Sequence, residues 1–384
     1  MPRGNNATKK KTTKKKVVKQ AVDRSKAKKV KRNFNPAEFI STGSTLLNLA
    51  LTDHPRCGWQ FGKMANLIGD SSSGKTFLAL TCFAEAEANS KCSDVAFIYD
   101  DAEHANEFDV ENLFNEEVEE RIAAPEYYDE EPVFSTTVED FYAYVRNACK
   151  GDDRFIYVLD SMDAIGSEDD EKKIKEVEAH RDKAKKAERE GKEVKAITGS
   201  FGMGKAKMNS KMLGNICGKV EQANGVLLIV SQTRDDINPM TFTKKTRAGG
   251  KALKFYATHE VWTAVGREIK AKERVIGVDC IVKVSKNKIT GKRRTIKFPI
   301  FYEFGIDNIG SIIDFLVDEG VWKKAKGATT IDPNGDLGLV KATRAKLIRT
   351  IEDEDLEPQL DRLVSDAWHG IEDSLKQNRK KRYA

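Results

Sequence analysis

Long apolar runs are missing from this sequence. Its purely apolar stretches, such as Val226 to Val230, are far too short to cross a bilayer, and no apolar segment follows the basic N-terminus as a secretion signal requires. A helical membrane protein is excluded on that pattern, and a soluble, cytoplasmic protein is expected. Cysteine is scarce and scattered: Cys57, Cys82, Cys92, Cys149, Cys217 and Cys280 form no C-x-x-C pair, and the five histidines stand apart from them. Neither a disulfide framework nor a zinc site is indicated. Acidic residues are nearly absent from one region. Residues 1–32 hold eleven Lys and three Arg against one Asp, a local charge of +13, so a whole-chain charge of +6 leaves −7 for the remainder. With few large apolar side chains, this tail cannot offset its ordering entropy by burial; it is expected to be disordered and to attract nucleic acid electrostatically.

What is present is a hydrophobic content of 39% over 384 residues, enough for one large α/β domain and a smaller companion. Residues 69–76, Gly69-Asp70-Ser71-Ser72-Ser73-Gly74-Lys75-Thr76, form an unbroken G-x-x-x-x-G-K-[ST] phosphate-binding loop between the apolar run 64–68 and the helix-prone 77–88. Glycines at both ends allow backbone conformations that turn N–H groups inward around a phosphate, beside the positive end of the next helix. Lys75 would reach the β- and γ-phosphates of ATP, and the Thr76 hydroxyl would sit on Mg²⁺.

Short apolar runs alternate with helical stretches from about residue 33, the signature of a mostly parallel sheet flanked by helices. Four runs end at Gly69, at Asp100-Asp101-Ala102-Glu103, at Asp160-Ser161 and at Ser231-Gln232. Ligands bind outside the carboxyl ends of such strands, so these four ends should converge on one nucleotide. Asp160 fits the carboxylate that holds a Mg²⁺-bound water, and Glu103 is placed to be a general base. Spacing alone leaves Asp100, Asp101 and Glu107 as competitors.

Residues 167–196 read as a charged, solvated helical insertion without chemistry of its own. A glycine-rich stretch at 199–205 leads to a basic, Met-bearing helix at 206–213. A second irregular basic stretch carries Arg234, Lys244, Lys245, Arg247, Gly249 and Gly250. Alternation over 278–284 and 295–302 predicts antiparallel strands turning near Thr290-Gly291-Lys292. The core is expected to close near residue 306, followed by a small α-rich C-terminal domain over 307–384, packed on Trp322 and Trp368, with a basic end at 379–382.

The order of Ile40-Ser41-Thr42-Gly43-Ser44, the loop 69–76, Asp101-Ala102-Glu103-His104-Ala105, the run 249–257 opening Gly249-Gly250-Lys251, and Val284-Ser285-Lys286-Asn287-Lys288 resembles RecA-type homologous recombinases from about residue 40 to 307. The resemblance implies a RecA-like P-loop ATPase core in which Glu103 is the base, Gln232 senses the γ-phosphate, and Lys75, Lys286 and Lys288 complete the catalytic set. Lys286 and Lys288 would reach the ATP of a neighbouring subunit in a helical filament. It also implies that the two basic loops hold single-stranded DNA. Lys207, Ser210, Arg234, Gly249 and Gly250 would lie at phosphates, Lys244, Lys245 and Arg247 would also bind the DNA, and Met203 or Met240 would wedge between bases. Such contacts ignore sequence, as homology search requires. The implied activity is a DNA-dependent ATPase that polymerises on single-stranded DNA and exchanges strands with homologous duplex DNA, assisted by single-strand-binding or loader proteins.

Departures from the family pattern mark a divergent relative, one that a phage could carry. The basic tail replaces the bacterial N-terminal docking helix, and Phe34-Asn35-Pro36-Ala37 resembles the F-x-x-A polymerisation motif. The adenine-stacking tyrosine is missing, with Phe108 and Val110 nearby. A ring-forming DNA motor of the same superfamily, a helicase or branch-migration ATPase, is the alternative; it calls for an arginine finger or a further zinc or primase-interacting domain, and neither is evident.

Overall fold

Parallel strands covered on both faces need apolar residues at successive positions, and the runs noted above supply them. The computed structural model describes residues 34–106, 108–189, 203–235, 245–247 and 250–379. The tail at 1–32, Glu107, residues 190–196 of the insertion, Met240, Lys244, Gly249 and the basic positions 380–382 lie outside the described residues.

One ten-stranded sheet organises the unit Pro36–Ala384. In chain order its strands are β1 (Lys63–Gly69), β2 (Ala96–Asp101), β3 (Ile122–Ala123), β4 (Phe155–Asp160), β5 (Val226–Asp235), β6 (Lys245–Arg247), β7 (His259–Ala271), β8 (Arg274–Asn287), β9 (Thr295–Phe301) and β10 (Gly305–Ile306). Their spatial order is β10-β9-β8-β7-β1-β5-β4-β2-β3, with β6 paired to β5. The run from β7 through β3 is parallel, and the β7-β8-β9-β10 side is antiparallel. Side chains alternate across the pleat into two apolar clusters. Leu67, Ile156, Val158, Leu228 and Val230 face one; Met64, Tyr157, Leu159, Leu227 and Ile229 face the other.

Helix α1 (Thr45–Thr52) is capped by Ser44, whose side chain accepts from Leu47 N. Helix α2 (Lys75–Glu87) follows the phosphate loop, with Gly74 at its N-cap in the left-handed region at φ 85°. Helix α3 (Val138–Ala148) starts on a capping box between Thr137 and Asp140. The charged insertion forms α4 (Glu168–Arg189), with a Lys172–Glu168 pair at 3.2 Å one turn apart. Helix α5 spans Met203–Gln222, so it begins inside the glycine-rich stretch read as irregular and runs beyond residue 213. Its length follows from Leu213, Ile216 and Val220, buried at helical spacing.

Helices α6 (Gly250–Tyr256), α7 (Asn308–Asp318), α8 (Arg344–Asp353) and α9 (Glu357–Ser374) complete the elements used below. The expected antiparallel hairpin is β8–β9, joined through Thr290, Gly291 and Lys292. Trp322 and Trp368 are buried, and Ile312, Leu347, Val364 and Trp368 share one apolar cluster with Leu67 and Leu228 of the sheet. No helix among the described residues is long and apolar enough to cross a membrane.

Candidate nucleotide and nucleic-acid site

Strand register builds the site. Gly69 lies opposite Gln232 across the β1–β5 pairing and opposite Thr263 across β1–β7, while Asp101 lies opposite Asp160. The strand ends expected to converge are therefore level with one another.

The loop 69–76 is a closed turn. Ser73 Oγ donates to Asp70 O at 2.7 Å and shares a 2.8 Å hydrogen bond with Thr263 Oγ1, while Cys280 Sγ donates to Ser73 O at 3.3 Å. Ser72 and Gly74 hold φ of 58° and 85°, the left-handed conformation that lets successive N–H groups face one side. Close packing demands glycine at the loop's start: a Cβ on Gly69 would lie 2.3 Å from Thr263 Oγ1 and 2.4 Å from Ser73 Oγ. Thr263 and Cys280 were not legible as site residues, since only the β7 and β8 pairings bring them under the loop.

Lys75 is buried, and its Nζ donates to Asp70 O at 2.6 Å. Burial lowers its pKa, opposed by the nearby charges of Asp160, Glu103, Asp70 and Asp163. Thr76 Oγ1 donates to Asp160 Oδ2 at 2.5 Å, and Tyr99 Oη donates to the same oxygen at 3.1 Å. Burial raises the Asp160 pKa, with the Thr76 hydrogen bond pulling the other way. This hydroxyl and carboxylate are hard oxygen donors that fit a small divalent cation. Among the described residues no cluster of three or more His, Cys, Asp or Glu could hold a metal ion, so a cation here would need phosphate oxygens and water as well.

Glu103 turns back from the end of β2 to this point, its N donating to Asp160 O at 3.1 Å. Its Oε1 accepts from Ser161 Oγ and, at 2.9 Å, from Gln232 Nε2. The rival Asp100 faces elsewhere, bound by Ser135 and Tyr157. Asp163, a residue the sequence reading passed over, accepts from Gln232 N at 2.6 Å and pairs with Arg234 at 3.4 Å. Ala102, Glu103, Asp163, Gln232, Thr233 and Arg234 border an open cleft of about 520 Å³. A larger cavity of about 920 Å³ lies between β8, β9, α7 and α9; it has no phosphate loop and is not the nucleotide site.

Lys286 and Lys288 are not brought to this chain's own loop. Lys286 Nζ donates to the carbonyls of Lys254 and Phe255, and Lys288 Nζ donates to Phe255 O at 3.0 Å, so both cap the carboxyl end of α6. Burial, with Lys288 alongside, lowers the Lys286 pKa to about 8.

The residues expected at DNA are placed unevenly. Lys207 and Ser210 are exposed on α5, where Met203 is the first residue, and Gly250 opens α6. Lys245 pairs with Asp70 of the phosphate loop, which also accepts from Thr233, and these hydrogen bonds, Lys245 first, lower the Asp70 pKa. Arg247 is buried in an ion pair with Glu260, an arrangement that leaves it facing the core rather than solvent.

Residues 177–307 match the family model of the RecA N-terminal domain. Curated relatives extend the likeness over most of the chain. The chain is 31% identical over 322 residues to Protein RecA of Chloroherpeton thalassium, covering 82% of this chain and 77% of that one. It is 30% identical over 334 residues to Protein RecA of Chlorobaculum tepidum, covering 87% and 84%, and 30% identical over 310 residues to Protein RecA of Pseudomonas putida, covering 80% and 76%. The phosphate loop, the level strand ends and this extended similarity together place the chain in the RecA family, as a divergent RecA-type recombinase.

Proposed function

We propose that the chain is a cytoplasmic, DNA-dependent ATPase that polymerises with ATP and Mg²⁺ on single-stranded DNA and exchanges strands with homologous duplex DNA. The observation carrying this reading is the hydrogen bond from Gln232 to Glu103, which ties the expected base to the strand leading into the basic loop.

Hydrolysis needs the phosphates neutralised, a water aligned, and its proton accepted. Loop N–H groups and Lys75 hold the β- and γ-phosphates. Thr76 and Asp160 would hold Mg²⁺, which would supply neutralising charge at the phosphates. Glu103 takes the proton of the attacking water, and Ser161 and Gln232 fix its orientation. Gln232 would then be within reach of both the γ-phosphate and the strand that leads to the basic loop. Lys286 and Lys288 complete the site on an adjoining protomer. Lys207, Ser210 and Arg234, with Met203, Lys244, Lys245, Gly249 and Gly250, form the DNA-facing surface. The tail over 1–32 adds electrostatic attraction, and 307–384 acts as a small C-terminal domain on the core of 33–306. Single-strand-binding and loading proteins are the expected accessory partners.

Electron microscopy of the full chain with single-stranded DNA and a slowly hydrolysed ATP analogue tests the reading. Helical filaments are expected; closed rings would transfer the chain to the motor class.

A further inference from the structure

Strand β6 is three residues long and pairs with β5 through Lys245–Asp235, Thr246–Arg234 and Arg247–Thr233. Alternation puts Lys245 and Arg247 on one side of it. Both side chains engage acids of the ATPase core: Lys245 pairs with Asp70 of the phosphate loop, and Arg247 with Glu260 of β7. The two contacts differ in kind. Lys245 and Asp70 are each about half exposed, at 49% and 47%, whereas Arg247 and Glu260 are 8% and 2% exposed. Exposed pairs contribute little, while breaking a buried pair leaves an uncompensated charge.

Glu260 is held by other groups as well. Its Oε1 accepts from Ser285 Oγ at 2.8 Å and Trp262 Nε1 at 3.1 Å, and its backbone carbonyl accepts from Ser285 Oγ at 3.2 Å. Ser285 precedes Lys286, and Glu260 lies opposite Lys286 in the β7–β8 register. One buried carboxylate thus joins the strand returning from the basic loop to the strand that carries Lys286 and leads into Lys288. We infer that Arg247 is a positioning residue rather than a phosphate contact, and that the buried Arg247–Glu260 pair fixes β6 against the β7–β8 hairpin. This inference rests on the DNA-binding reading above and revises the expectation from the sequence that Arg247 itself binds the DNA.

Salt dependence separates the two roles. Each phosphate contact on single-stranded DNA contributes about 0.7 to the slope of log affinity against log salt. Fluorescence anisotropy of a labelled oligonucleotide, with the full chain and a slowly hydrolysed ATP analogue, is measured across salt concentrations. Arg247→Met is expected to weaken binding about tenfold at every salt concentration without changing the slope. Glu260→Gln should weaken it similarly, although it removes a negative charge. Exchanging the pair, Arg247→Glu with Glu260→Arg, should restore part of the loss. If the single variants do not fold, the apolar replacement Arg247→Met with Glu260→Leu keeps the slope measurable, and an unchanged slope is again expected. A slope shallower by about 0.7 wherever Arg247 is removed, with Glu260→Gln binding as tightly as the unaltered chain or more so, would overturn the inference. Unaltered protein showing no salt-dependent binding would overturn the DNA-binding reading itself, and this inference with it.

Discussion

Gln232 Nε2 lies 2.9 Å from Glu103 Oε1 and donates to it. Glu103 follows the end of β2 and Gln232 lies in β5, on either side of β4 and 129 positions apart, yet this single contact links the carboxylate beside Asp160 to the strand that runs toward the basic loop. A γ-phosphate competing for the Gln232 amide would loosen that link, and a residue pulled on by two partners is suited to report which one is present.

Glu103→Gln removes the proposed proton acceptor but keeps its size and its ability to hydrogen bond. Turnover should fall by about 10²- to 10⁴-fold while nucleotide affinity and nucleotide-dependent assembly persist. Steady-state hydrolysis beside equilibrium binding of a fluorescent ATP analogue checks this; hydrolysis persisting in the variant would reassign the base.

Gly69→Ala should collapse nucleotide affinity without unfolding the chain. The added Cβ meets both Thr263 Oγ1 and Ser73 Oγ, and the backbone carbonyl of Thr263 at 2.6 Å cannot rotate away. The loop must shift instead, and binding measured by calorimetry should drop by at least about tenfold, with the thermal midpoint lowered as well.

Assembly should weaken with rising pH earlier than an ordinary lysine would dictate. Burial and Lys288 bring the Lys286 pKa down to about 8, so its ammonium loses its proton as pH rises through that value. If that charge meets a neighbour's phosphates, assembled protein binds the proton more tightly, and nucleotide-dependent assembly stays level below about pH 8 and declines above it, up to about tenfold per pH unit. Light scattering across pH 7–10 reads this, and Lys286→Arg, which stays charged, should remove the decline.

Stability should be lost on the acid side through His259. Burial pushes its imidazole down to about 4, and its Nε2 is buried without a hydrogen-bond partner among the described residues. A base whose folded pKa is lowered favours the unfolded chain once protonated. Its penalty is absent above about pH 6.5 and grows as pH falls toward about 4, reaching about 3 kcal/mol. Denaturant melts over that window check the slope, which His259→Leu should flatten.

Much of this site was legible because its signals are local. The phosphate loop is eight consecutive residues, and the strand ends at Asp160 and Gln232 follow unbroken apolar runs that a buried parallel strand requires. What the residues alone left open was non-local. Choosing Glu103 over Asp100 depends on the turn that returns the Glu103 N–H to Asp160 O and on the Ser135 and Tyr157 groups that occupy Asp100. Thr263 and Cys280 reach the loop only through pairings some 200 residues apart in sequence, as their contacts with Ser73 show at separations of 190 and 207. The Arg247–Glu260 pair was not legible because composition cannot reveal a buried acid waiting on another strand. The start of α5 was misplaced because glycine lowers helix propensity, an effect that Leu213, Ile216 and Val220 override by packing.

The most direct measurement is ATP hydrolysis with and without single-stranded DNA, by the unaltered chain and by Gln232→Ala. DNA is expected to raise the unaltered rate at least about tenfold and to leave the variant near its DNA-free rate, with nucleotide still bound. Equal rates with and without DNA in the unaltered chain, or full stimulation surviving in Gln232→Ala, would contradict the link between Glu103 and the nucleic-acid surface.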